Sequence, residues 1–223
     1  MAVLVADQLS KEYGDIVALA DFKLSVNAGE LVAMVGHNGS GKSTFLRLVA
    51  GLLEPTDGVL VVANAPAGSL KARAEVSFVP DQPVLYDDLS VNEHIEFTAR
   101  LHGEHEWPDR ADTLLEVLGL TARADDLPSR FSRGLRQKTS LVLGLVRPFS
   151  ILLVDEPFVG LDPHGQSALT EILVEAASAG AAVIVATHQL AFLENATRCV
   201  ALRDGHTEFA GKVDLPRIQS LLG

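Results

Sequence analysis

The sequence predicts an α/β fold: strands alternating with helices, an N-terminal antiparallel β segment ahead of them, and an inserted block of helices. Three observations predict it. Residues 31–35, 151–154 and 182–186 are short, unbroken apolar runs, the pattern of strands buried on both faces. The first two of these runs lead through loops into helical stretches, at 42–52 and 163–177. Between about 90 and 147 the βα alternation gives way to helical periodicity.

Taken in order, residues 3–6, 16–19 and 22–26 read as strands, and Asn27-Ala28-Gly29-Glu30 as a turn. Leu31-Val32-Ala33-Met34-Val35 is the first buried strand. Strand-like runs recur at 59–62 and 76–79. Val91, Ile95 and Phe97 begin one helical apolar face, and Leu114, Leu115, Leu118 and Leu120 form another. After Pro148 the strand–helix alternation resumes, and 213–223 reads as a short helix. We therefore expect one domain over 1–223. Residues 1–89 and 148–223 would form the core with its β subdomain, and 90–147 the helical subdomain.

Hydrophobic residues make up 48% of the 223, enough for a sizeable core without covalent staples. The single cysteine, Cys199, lies in an apolar run and reads as core packing in a reducing compartment. The formal net charge of −11 argues against sequence-independent binding to nucleic acid, which needs a basic surface. The N-terminal residues lack a basic stretch and turn acidic at Asp7, so no signal peptide is expected. The apolar stretch 141–153 is broken by Arg147 and Pro148, and 181–186 is far short of the roughly 20 residues a membrane span needs. A soluble, cytoplasmic chain is expected, with any membrane work done through a partner.

Gly36-His37-Asn38-Gly39-Ser40-Gly41-Lys42-Ser43 fits the P-loop pattern G-x-x-x-x-G-K-[ST], between a strand and a helix. Glycines let backbone N–H groups converge on phosphate oxygens, and the helix start that follows favours anions. Lys42 is placed for the β- and γ-phosphates of ATP, Ser43 for Mg²⁺, and Thr44 for a further phosphate contact. The strand 151–154 ends in Asp155-Glu156. Successive strand side chains point to opposite faces, so the two carboxylates should divide the work. Asp155 would belong to the Mg²⁺ shell, and Glu156 would act on the attacking water as general base.

Further segments resemble the nucleotide-binding subunits of ATP-binding-cassette (ABC) transporters, over about residues 3–211. Phe131-Ser132-Arg133-Gly134-Leu135 resembles the signature motif, usually L-S-G-G-Q. Ser132 and Gly134 are kept, Arg133 stands for the first glycine, and Leu135 for the glutamine. Ser132 also reads as a helix N-cap. Val159-Gly160-Leu161-Asp162 resembles the D-loop, and Asp162 followed by Pro163 is equally a good helix start. His188, after the strand 182–186, resembles the switch histidine, and Tyr13 the aromatic residue that stacks on adenine. In Phe78-Val79-Pro80-Asp81-Gln82-Pro83, where the family has its Q-loop, either Asp81 or Gln82 takes the position near the metal. His37 stands where proline is common.

The resemblance implies a P-loop NTPase core and Mg²⁺-dependent ATP hydrolysis, with Glu156 and His188 catalytic. ATP would lie between residues 36–44 of one subunit and Ser132, Arg133, Gly134 and Asp162 of a second, in a homodimer or heterodimer. It further implies an integral membrane permease as partner, met by the loop Val84-Leu85-Tyr86, and a peripheral place on the cytoplasmic face of a membrane. The Asp81 variant and the Phe-Ser-x-Gly-Leu signature look more like subunits paired with export permeases. The alternative is a soluble ATPase of the same family acting on ribosomes or in DNA repair, a class that usually carries two cassettes or a long coiled-coil insertion.

Overall fold

The computed structural model describes residues 2–222. In chain order the first elements are β1 (Ala2–Tyr13), β2 (Ile16–Asn27), β3 (Leu31–Gly36), α1 (Lys42–Val49), β4 (Asp57–Val62), β5 (Ala65–Pro66), α2 (Leu70–Glu75) and β6 (Val76–Val79). Helices α3 (Val91–Leu101), α4 (Trp107–Val117) and α5 (Arg133–Leu145) follow. The chain closes with β7 (Ile151–Asp155), α6 (Pro163–Ser178), β8 (Ala182–Ala186), β9 (Arg198–Arg203), β10 (His206–Gly211) and α7 (Leu215–Leu222).

Two compact units emerge. The first holds residues 1–78, 149–156 and 173–223; the second holds 79–148 and 157–172. The second unit thus takes in the D-loop-like stretch and the start of α6, which the sequence reading assigned to the core.

The first unit contains two sheets, ordered β2-β1-β4-β5 and β10-β9-β3-β8-β7-β6. The smaller sheet is antiparallel throughout. The strands expected at 16–19 and 22–26 are one strand, β2, irregular at Asp21. Strand β1 has its own irregularity at Gln8, and the register between the two shifts there. Such bulges let two long ribbons twist while keeping their apolar faces inward. Leu4, Leu9, Leu19, Phe22 and Val26 are fully buried, and Phe22 meets Phe45 of α1 with ring centroids 4.7 Å apart.

In the larger sheet β3 runs parallel to both β9 and β8, and β8 parallel to β7. Every residue of β3, β7 and β8 is buried, as their unbroken apolar runs predict. Strands β9 and β10 form an antiparallel hairpin at the sheet edge. Cys199 on β9 is buried, and burial pushes its thiol up to about 12, so it packs rather than reacts. Because β3, β8 and β7 are parallel neighbours, their C-terminal ends share one edge, where ligands of open α/β sheets bind.

In the second unit α3 and α4 both pack against α5. Val91, Ile95, Leu114, Leu115, Leu141 and Leu145 are buried between them. Helix α3 starts with a complete capping box: Ser90 accepts from the Glu93 backbone N–H, and Glu93 accepts from that of Ser90. Among the described residues no helix is long and apolar enough to cross a membrane.

Candidate active site

The loop 36–41 connects β3 to α1 and is shaped by glycine. Gly41 has φ of +107°, and a Cβ there would lie 2.5 Å from the Ala18 carbonyl oxygen. Gly36 is closed in likewise, by the Leu202 carbonyl and the Ser40 hydroxyl. Helix α1 begins at Gly41 with no side-chain cap and no acid in its first turn, so its first N–H groups remain for an anion. His37, Asn38 and Gly39 are exposed, Ser40 is buried with its hydroxyl unpaired, and Ser43 and Thr44 are half-buried in the first turn.

Lys42 is nearly buried. Its Nζ donates to the carbonyl oxygens of Gly36 at 2.7 Å and His37 at 3.1 Å, and lies 3.9 Å from Glu156 Oε1. Burial holds its ammonium below the ordinary lysine range, and the negative charges of Glu156 and Asp155 partly offset that.

Asp155 is the last residue of β7 and is 2% exposed. Glu156 lies just beyond the strand with φ of +47°, a left-handed conformation rare for a residue with a side chain. Strand alternation therefore does not explain why the two carboxylates differ, as the sequence reading supposed. The strand stops at Asp155, and the left-handed turn re-aims Glu156. Its N–H bonds to the Ala186 carbonyl at 2.8 Å, which ties the turn to the end of β8.

His188 follows the end of β8. Its Nδ1 lies 2.8 Å from Glu156 Oε2, and its backbone N–H donates to the same oxygen at 3.3 Å. A carboxylate only accepts, so Nδ1 carries the proton. Thr187 is fully buried and anchors the turn through its N–H to Met34 and its hydroxyl to the Gln189 N–H. Tyr13 ends β1, about half exposed, with the Lys11 ammonium 5.2 Å from its ring centroid.

The first unit thus brings together Lys42, Asp155, Glu156 and His188 from three adjacent strand ends. The donor set suits Mg²⁺: a hydroxyl (Ser43) and a carboxylate (Asp155) beside a phosphate-binding loop, hard oxygens of the kind that share this ion with nucleotide phosphates. Among the described residues no group of three or more His, Cys, Asp or Glu is placed to hold a metal ion.

The second unit holds the remaining sequence-predicted residues. Ser132 caps α5, its Oγ accepting from the Leu135 N–H at 3.4 Å. Arg133 Nη2 donates to Asp81 Oδ1 at 2.9 Å. Gly134 faces Gly160 so closely that a Cβ would meet the Gly160 carbonyl oxygen at 2.2 Å. Asp162 lies 3.6 Å from Lys138 Nζ, and that ammonium holds its carboxyl below the usual range. Gln82, the other Q-loop candidate, is exposed. Three of these contacts escaped the sequence reading: Arg133–Asp81, Gly134–Gly160 and Lys138–Asp162. The only signal for the last was an i, i+24 pairing of opposite charges, which no helix or strand period marks.

Residues 19–159 match the family described as ABC transporter. The chain belongs to the ABC transporter family. It is 34% identical over 208 residues, 92% of this chain and 87% of the relative, to the SkfA peptide export ATP-binding protein SkfE of Bacillus subtilis. The solved structure of an ATP-binding subunit of an ABC transporter superposes with a TM-score of 0.90 at 33% identity, covering 99% of this chain and 94% of that one. A dimeric ATP-binding cassette in a post-hydrolysis state, bound to ADP and Pi, superposes with a TM-score of 0.85 at 26% identity, over 95% and 99%. This ABC protein is accordingly an ATP-binding, ATP-hydrolysing subunit with the expected α/β P-loop architecture. The ribosome or DNA-repair alternative is not favoured by these relatives.

Proposed function

We propose that this ABC subunit closes as a dimer around two ATP molecules and drives a separate membrane permease, with export as the direction. The observation that carries the reading is the convergence of Lys42, Glu156 and His188 at adjacent strand ends. Backbone N–H groups of 36–44 receive the phosphates, and Lys42 exchanges its loop carbonyls for phosphate oxygens. Glu156 takes a proton from water as the water oxygen bonds to the γ-phosphorus and the bond to the ADP oxygen breaks. His188 holds the Glu156 carboxylate in place. Ser43 and Asp155 would hold Mg²⁺, which supplies neutralisation of the charge developing on the phosphates.

Tyr13 is proposed to stack on adenine, and Ser132, Gly134 and Asp162 to meet the nucleotide of the second subunit. The permease would dock on Val84-Leu85-Tyr86. Val84 is 91% exposed and Tyr86 57%, and apolar side chains so displayed suit a partner surface. Docking there would place this subunit on the cytoplasmic face of the membrane. The export direction is supported by the SkfE relative, and the net charge of −11 supports the absence of a nucleic-acid partner.

Affinity purification of the tagged protein from detergent-solubilised membranes tests this. A stoichiometric integral-membrane protein is the expected companion, and vesicles carrying the pair should move cargo only with ATP. Recovery of ribosomes or nucleic acid without such a companion would overturn the permease reading.

A further inference from the structure

Two positions where this chain departs from the family pattern are in contact. Arg133 stands where the signature usually has a glycine, and Asp81 is one of the two residues, with Gln82, that fall where the Q-loop has its glutamine. The Arg133 guanidinium donates to the Asp81 carboxylate at 2.9 Å across 52 positions of sequence. Arg133 is the first residue of α5, whose first turn contains no acid. A cation there opposes the helix dipole, which favours negative charge at that end. The carboxylate that compensates it comes from outside the helix, from the segment that also carries exposed Val84 and Tyr86. Neither group is buried: the side chains are 59% and 35% exposed. The pair is therefore a poor stability device, since exposed ion pairs contribute little. What it does fix is the direction of the guanidinium. One nitrogen of the fork is engaged by Asp81, which leaves other donors of the same rigid plane for a second anion.

We infer that Asp81 is a positioning residue that acts through Arg133, holding the guanidinium so that its remaining donors meet the γ-phosphate of ATP carried by a second copy. This rests on the proposed reading of a nucleotide shared between two subunits. It assigns Asp81 to the signature segment rather than to the metal.

The test uses the full chain in a Glu156→Gln background, in which ATP is held unhydrolysed, and follows dimer formation by light scattering against ATP at fixed Mg²⁺. Asp81→Asn should raise the ATP concentration for half-maximal dimerisation by about 3–5-fold per site, the most an exposed pair commonly supplies. Asp81→Glu should behave as the parent. Asp81→Asn should add nothing to Arg133→Gln, and the Mg²⁺ concentration for half-maximal dimerisation should not move. The reversed pair, Asp81→Arg with Arg133→Asp, restores the contact but turns a carboxylate toward the phosphate, so it should not rescue. Rescue by the reversed pair would show the contact to be structural only and overturn the inference. Additive losses in the double variant, or a raised Mg²⁺ requirement in Asp81→Asn alone, would also overturn it. If the Glu156→Gln parent dimerises with ATP and Asp81→Asn matches it, this inference falls while the shared-nucleotide reading stands. A parent that never dimerises would bring down that reading and this inference together.

Discussion

Glu156 and His188 are 32 positions apart in sequence, and the His188 Nδ1–H meets the Glu156 carboxylate at 2.8 Å. The backbone N–H of His188 reaches the same oxygen, while the other carboxylate oxygen faces Lys42. Glu156 is thus held from both sides in a left-handed turn that its own backbone would not prefer. Strain of this kind persists only when neighbours over-determine it, and here two strand ends and a lysine do so.

Removing the carboxylate should separate binding from chemistry. Glu156→Gln is expected to lower the rate of phosphate release by about 10²–10⁴-fold, the usual contribution of a general base, while ATP binding persists. Turnover near that of the parent would take the role away from Glu156.

His188 should matter through the nitrogen that faces Glu156. His188→Ala is expected to lower kcat by up to about 100-fold, since loss of the contact lets the carboxylate drift. His188→Asn places an amide N–H near the Nδ1 position and should retain more activity. Equal losses in the two variants, measured in steady-state assays, would argue against a positioning contact.

Lys42 gives a pH signature. Burial holds its ammonium below the ordinary value of 10.5. The unfolded chain then binds that proton more tightly than the folded chain, so this group's contribution to stability rises with pH between the lowered value and 10.5. Thermal unfolding of nucleotide-free protein from pH 7 to about pH 10 should show wild type gaining on Lys42→Met. A difference that moves the other way would mean that the ion pair with Glu156 outweighs burial.

Gly134→Ala sets two effects against each other. Alanine in a helix is favoured over glycine by about 0.5–1 kcal/mol. The added Cβ would stand 2.2 Å from the Gly160 carbonyl oxygen, a backbone atom that no rotamer change can move. Overpacking of this kind costs about 1–3 kcal/mol, so the clash should win. A lower urea midpoint is expected, and an unchanged or higher one would show that the 157–162 segment gives way freely.

The exposed loop should matter to the partner and not to the isolated subunit. Val84→Asp combined with Tyr86→Ala is expected to leave ATP hydrolysis by the free subunit within about two-fold, as surface changes usually do. Co-purification of the membrane partner should be lost. Undiminished capture of that partner would place the docking surface elsewhere. His94 offers a subtler handle: its Nε2 accepts the Tyr86 N–H at 2.8 Å, and its Nδ1 bonds the Ser90 carbonyl. That buried ring ties the loop to the first turn of α3, into which it leads.

By itself the sequence determined the local chemistry. Unbroken apolar runs announced β3, β7 and β8, because a strand covered on both faces has no polar side to display. The glycine spacing of 36–41 announced the loop, because only such residues let N–H groups converge on an anion without a Cβ in the way. Ser132 and Asp162 were legible as helix starts for the same local reason. The tertiary structure alone decided what lies beside what. Strand β8 sits between β3 and β7, which brings His188 to Glu156. Asp81 meets Arg133, and Gly134 meets Gly160, across long stretches of chain that carry no shared period. Even the divergence of Asp155 and Glu156 came from a left-handed turn rather than from strand alternation. Periodicity and turn chemistry are set by neighbours along the chain. Strand order and cross-chain contacts are set by how separate elements bury their surfaces together, and one sequence does not display that.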